Sequence, residues 1–261
     1  TWDELRAFVD CVVRTAAGRV PVFAGVTTLN TRDTIERGRA LADLGADGLF
    51  VGRPMWLPLD DAGIIRYYRD VAAALPGVPL VVYDNPGAFK GKISADVYRV
   101  LAEIPEVVAA KHVGGPALEA DLLAVGDRIR ILPLESDWYA LAEKHPDLAV
   151  ACWSGNVACA PRAIAALRRT IADRAWDRAK DLSDRVNWAM APLFPGGDLS
   201  LFMTYSIQLG HGRFAAAGLV DPGPCRPPYV EAPQEYLEGA RECGRRWAEL
   251  ERAFTREQIA S

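Results

Sequence analysis

The feature that most constrains this chain is a rhythm. From Val20 onward, short apolar runs rich in β-branched residues alternate with amphipathic segments of ten to fifteen residues. Strands that read as continuous apolar runs are covered by protein on both faces, and such alternation builds repeated βα units around a parallel sheet. The pattern predicts six strands, over Val20–Val26, Ala46–Val51, Val78–Tyr83, Val107–Lys111, Arg128–Leu134 and Leu148–Trp153. The intervening helices are expected over Thr31–Leu44, capped by Thr31 and stopped by Gly45, then from Asp60 to about Leu75, Ser94–Ile104, Ala117–Val125 and Trp138–His145. A closed barrel and an open doubly wound sheet both meet this description.

After Pro161 the pattern becomes wholly helical, over Pro161–Ala175, Arg178–Met190, Leu199–Leu209 and Pro233 to about Phe254, the last after a Pro/Gly-rich loop from Asp221 to Pro228. Residues 1–160 are therefore expected to supply βα units and residues 161–261 a C-terminal helical extension packing on them, within a single domain. The first residues, Thr1-Trp2-Asp3-Glu4, open a helix with a capping box and not a strand. An eight-stranded barrel would need two further strands upstream, so the six are expected to be its third to eighth.

Composition narrows the function. Half of the 261 residues are hydrophobic, enough for one large core, and Lys+Arg 30 against Asp+Glu 34 leaves a net charge of -4. No basic surface is available for a polyanion, which speaks against nucleic acid as a partner. The longest apolar stretches, such as Val78-Pro79-Leu80-Val81-Val82, fall far short of the roughly 20 residues that cross a bilayer. With no signal-peptide pattern either, a cytoplasmic location away from membranes is expected. The five cysteines form no C-x-x-C pair, and reduced thiols are the expectation. His112, His145 and His211 stand isolated from one another, so no metal site is expected.

Two strand ends carry chemistry. Tyr83 and Lys111 each stand where an apolar strand gives way to its loop, the face on which barrel active sites are built. An amine closing Val107-Val108-Ala109-Ala110 is partly desolvated, which frees the neutral nucleophile to attack a ketone. A lysine there also serves to pair a carboxylate or to reach solvent, and Tyr83 also fits as a core residue with a wet hydroxyl. Their placement on consecutive strands nonetheless makes phenol and amine neighbours in a parallel βαβ unit.

The segments Val82-Tyr83-Asp84-Asn85-Pro86 and Ala109-Ala110-Lys111-His112 resemble the tyrosine and Schiff-base lysine motifs of the dihydrodipicolinate synthase and N-acetylneuraminate lyase superfamily. More narrowly, Val26–Thr34, Gly52–Trp56, Asn85–Lys92 and Gly223–Tyr229 are similar to its trans-o-hydroxybenzylidenepyruvate hydratase-aldolase branch, which includes 2'-carboxybenzalpyruvate aldolases. The resemblance covers nearly the whole chain. It implies a (β/α)8 barrel, here without its first two strands, and a homotetramer without a cofactor. It further implies an enzyme of naphthalene and phenanthrene degradation that acts on a small aromatic 2-oxo acid. Lys111 would form the imine with the keto carbon, and Tyr83 would move the protons.

The same resemblance places other residues in the pocket. Asn85 would hydrogen-bond substrate or the added water, although an asparagine fixing the turn before Pro86 reads equally well. Trp153 would pack on the aryl ring or serve as a plain core tryptophan. Gly155 and Asn156 match a glycine and asparagine at the same strand end, while Met55 and Trp56 would form a pocket wall or pack beside the prolines. Two departures stand out. The family's carboxylate-binding glycine-threonine segment would immediately precede Thr1. Where salicylaldehyde-forming relatives have Tyr-Asn-Ile, this chain has Tyr205-Ser206-Ile207, so Ser206 would make room for an ortho substituent bulkier than hydroxyl. Alternatives within the superfamily are a pyruvate aldolase acting on a sugar acid or aspartate semialdehyde, or a non-catalytic relative.

Overall fold

A computed structural model describes residues 1–254 as an α/β protein. Its chain divides into two compact units, Thr1–Pro133 and Leu134–Ser261. The first opens with helix α1 (Trp2–Ala16) and then alternates: β1 (Phe23–Gly25), α2 (Thr31–Asp43), β2 (Gly48–Gly52), α3 (Asp61–Ala74), β3 (Leu80–Tyr83), the single turn α4 (Pro86–Phe89), α5 (Ala95–Leu101), β4 (Val107–Lys111), α6 (Leu118–Val125) and β5 (Arg130–Leu132). The five strands pair in sequence order, all parallel. A doubly wound sheet reverses its strand order at a switch point. Here the order runs straight through, which is the winding of a (β/α) barrel.

Local chemistry explains the boundaries. Each helix that follows a strand needs acceptors for its orphan N–H groups. Asp60 accepts from Gly63 N at 2.8 Å and Ser94 Oγ from Val97 N at 3.2 Å. For α2 the cap is Asn30, whose Oδ1 accepts from Asp33 N at 2.9 Å. This corrects the expected Thr31 cap: the amide of Asn30 reaches the third N–H, and Thr31 is already helical. The core beneath consists of fully buried Val26, Leu49, Val51, Leu80, Val82 and Ala110. Burying one such aliphatic side chain contributes about 1.5–3 kcal/mol. Tyr68 and Tyr67 of α3 donate to the carbonyls of Val51 and Gly52 at 3.0 and 2.9 Å, so polar tips are satisfied where rings are buried.

The register of β3 against β4 contains an irregularity. Leu80 pairs with Val107, but Val81 pairs with Ala109, so Val108 is an extra residue in β4. Beyond it Tyr83 faces Lys111. Without that bulge Tyr83 would face Ala110, and Lys111 would point to the opposite side of the sheet.

The second unit is helical: α7 (Glu135–Lys144), α8 (Pro161–Ala172), α9 (Trp176–Met190), α10 (Leu199–Thr204), α11 (Ser206–Ala217) and α12 (Gln234–Arg252). The expected sixth strand is reduced to one parallel bridge between Leu134 and Trp153. The expected helix over Leu199–Leu209 is broken at Tyr205, where φ and ψ are -117° and 19°. Helices α11 and α12 approach closely at Gly244, where an added methyl group would collide with the Arg213 carbonyl. Among the described residues no helix is long and apolar enough to cross a membrane.

Candidate active site

The first unit gathers three of the expected residues at the ends of β3 and β4. Lys111 Nζ lies 4.5 Å from the centre of the Tyr83 ring. That ring is fixed on two sides. Phe50 of β2 stacks on it at 4.8 Å, and Phe89 of α4 meets it edge-on at 5.3 Å. The Tyr83 hydroxyl oxygen accepts from Asn85 Nδ2 at 3.1 Å. Asn85 caps α4, its Oδ1 accepting from Ala88 N at 3.2 Å, and this leaves the amide nitrogen to face the phenol. The Asn85 side chain thus fixes the turn and at the same time meets the Tyr83 phenol. Tyr83, Asn85 and Lys111 are each half-buried.

An amine beside a phenol held by an amide can do two things. It can add to a carbonyl carbon, and the phenol can carry the proton that this addition and the later bond cleavage release. The expected wall residues Met55 and Trp56 follow β2 and are exposed, Trp56 by 75%. No group of three or more His, Cys, Asp or Glu residues able to hold a metal occurs among the described residues.

Sequence reasoning missed what lies on the other face of the same strands. Alternation turns Asp84 and His112, the next residues after Tyr83 and Lys111, away from them. Both are fully buried. Asp84 accepts from Arg53 Nη2 at 3.2 Å and from the Tyr98 hydroxyl at 3.0 Å, with Lys92 Nζ at 3.7 Å. Lys92 also pairs with Asp121. Asp121 in turn takes the Nε2 of His112 at 2.9 Å. His112 Nδ1 accepts from Gly114 N at 2.9 Å, which assigns the ring proton to Nε2. Burial pushes the Asp84 carboxyl above its ordinary value, against the opposing charges of Lys92 and Arg53. For Asp121 burial acts the same way, but hydrogen bonds from His112 and Lys92 outweigh it and hold the carboxyl low. The signal in the sequence is the placement of Asp84 and His112 directly after apolar strands, where a charge must be paired or neutralised.

In the second unit, Trp153, Gly155 and Asn156 share one loop. The Trp153 carbonyl accepts from Glu135 N at 3.1 Å. Asn156 is fully buried, and its amide is committed at both ends: Nδ2 donates to Glu135 Oε1 at 2.5 Å, and Oδ1 accepts from Arg213 Nη1 at 2.7 Å. Ser154 Oγ donates to the same Glu135 oxygen at 3.0 Å, while Glu135 Oε2 has no hydrogen-bond partner among the described residues. Burial raises the Glu135 carboxyl above its ordinary value despite these bonds. Arg213 belongs to α11, the helix that begins at half-buried Ser206.

Residues 1–241 match the dihydrodipicolinate synthetase family. Two relatives are similar over nearly the whole chain. A trans-2'-carboxybenzalpyruvate hydratase-aldolase of Nocardioides sp. (strain KP7) is 53% identical over 97% of this chain and 78% of its own length. A trans-O-hydroxybenzylidenepyruvate hydratase-aldolase of Pseudomonas putida is 42% identical over 98% of this chain and 78% of its own. Among solved structures, PhdJ bound to substrate intermediate superposes with a TM-score of 0.96 at 58% identity, covering 98% of this chain and 80% of that one.

Proposed function

The chain belongs to the dihydrodipicolinate synthetase family, and from that premise we propose that it is a class I, Schiff-base hydratase-aldolase. Its reaction converts an ortho-substituted benzylidenepyruvate and water to an aromatic aldehyde and pyruvate, a step in the breakdown of naphthalene- or phenanthrene-type hydrocarbons. The observation that carries this reading is the register pairing of Tyr83 with Lys111, amine 4.5 Å from the ring and phenol held by Asn85. The similarity to two hydratase-aldolases acting on such substrates supports it.

The steps follow from the chemistry of the pair. Lys111 adds to the keto carbon of the substrate and, with loss of water, forms an iminium ion that polarises the conjugated double bond. A second water adds across that bond, its oxygen to the benzylic carbon and a proton to the carbon beside the imine, which restores the iminium ion. Tyr83 then takes the benzylic hydroxyl proton as the carbon–carbon bond breaks, so the aldehyde leaves and the electron pair remains as the pyruvate enamine. Protonation of the enamine carbon and hydrolysis release pyruvate and restore the Lys111 amine. One water is consumed overall. No cofactor enters these steps.

Ser206, shorter than asparagine, favours the 2'-carboxy substrate in this reading. Turnover of 2'-carboxy- and 2'-hydroxybenzalpyruvate by the protein and by Ser206→Asn tests both parts. Pyruvate and aldehyde in equal amounts support the activity, and a shift toward the hydroxy substrate in the variant supports the assignment of Ser206. Absence of both products contradicts the activity, and an unmoved preference contradicts the role of Ser206. The reading also carries a cytoplasmic homotetramer, for which exposed Phe8, Trp56 and Leu57 in the first unit supply apolar contact area. Sedimentation equilibrium tests the tetramer.

A further inference from the structure

The loop that carries Asn85 and Phe89 is closed by one side chain. Its backbone leaves β3 at Asp84 and returns at Ile93, whose N–H points at both oxygens of the Asp84 carboxylate at 3.4 Å. Arg53 joins the same closure. Its Nη2 donates to Asp84 and to the Gly91 carbonyl at 2.5 Å, and its guanidinium lies 5.5 Å from the Phe89 ring centre. The Tyr98 hydroxyl and the Lys92 ammonium complete the set around a carboxylate with no exposed surface. These groups hold the two ends of the loop together and Phe89 against the Tyr83 ring.

Inside the loop the consequence reaches the phenol. Asn85 Oδ1 is occupied by the cap of α4, so the amide can present only N–H to Tyr83. The phenol oxygen is thereby made an acceptor on that side, and its own proton is directed elsewhere. We infer that Asp84 is a positioning residue of this reaction: by closing the loop it holds the Asn85 amide on the Tyr83 hydroxyl and sets the direction in which that hydroxyl gives and takes its proton. An amide at position 84 keeps the shape but places N–H groups against Arg53, Tyr98 or Ile93, all of which donate. This inference rests on the aldolase reading above.

A double-mutant cycle separates positioning from mere structural support. Asp84→Asn and the milder Tyr98→Phe are each measured alone and in an Asn85→Ala background. Rates are expressed per lysine labelled by borohydride in the presence of pyruvate. If Asp84 acts through Asn85, Asp84→Asn lowers kcat by about 10- to 100-fold with KM within about threefold, and the loss shrinks to about twofold or less once Asn85 is alanine. Tyr98→Phe, which removes one donor, follows the same pattern with a smaller factor and decides the question if Asp84→Asn does not fold. Equal factors with and without Asn85, or a loss that vanishes on normalising to labelled lysine, would overturn the inference. Absence of label in the parent protein would instead refute the aldolase reading, and this inference with it.

Discussion

Lys111 and Tyr83 were legible because each ends an apolar strand, and a polar side chain there has one face to work on. Asp84 carried a signal in its place directly after an apolar strand, but its partners Arg53 and Asp121, and Glu135, were not legible, because a sequence shows a charge without showing whether water reaches it. Removing the phenol oxygen by Tyr83→Phe is expected to lower kcat about 100- to 10,000-fold, the range for a positioned acid–base group, in a steady-state assay of pyruvate release. A residual rate near that of the parent would remove Tyr83 from the proton steps. Glu135 gives a prediction about pH. Its folded-state carboxyl lies above the ordinary value of 4.5, mainly through burial. The folded state therefore holds that proton more tightly than the unfolded chain does. The associated stability is complete below about pH 4.5 and is lost as pH rises through the folded value. Glu135→Gln abolishes this dependence, so its stability relative to the parent should rise with pH above about 4.5 in denaturant titrations. An unchanged difference across that window would mean that Glu135 titrates normally.

At the scale of elements, apolar periodicity located the five strands, and the bulge could not be read from it. Val107-Val108-Ala109-Ala110 is apolar throughout, so nothing in the run marks Val108 as the residue left out of register. Yet that one residue decides which face of the sheet receives Lys111. Deleting Val108 should abolish borohydride labelling of Lys111 in a protein that still folds, while Val108→Ala at this exposed position should keep it. The helix boundaries were misread where two residues competed for one role, as Asn30 and Thr31 did for the α2 cap. Residues 199–209 kept a helical pattern across a break that only the backbone at Tyr205 reveals. In the second unit the close approach of α11 and α12 makes Gly244 a sensitive point. Gly244→Ala forces the Arg213 backbone to move and should cost about 1–3 kcal/mol, read as a lowered melting temperature.

For the molecule as a whole, sheet order resolves the ambiguity that the strand rhythm left open. Five parallel strands paired without reversal put consecutive strand ends side by side, and this is why residues 28 positions apart in sequence, Tyr83 and Lys111, meet. The alternating α/β pattern and the side-by-side placement of Tyr83 and Lys111 were therefore accessible from pattern and spacing, and the barrel from the resemblance. The buried charge network behind them was accessible only from side-chain geometry. The central claim is that Lys111 forms an imine with the substrate keto group. Borohydride reduction in the presence of pyruvate, followed by peptide mass analysis, tests it most directly: the predicted result is a single reduced pyruvate adduct on Lys111, lost in Lys111→Met, and an adduct on another lysine, or none, would contradict it.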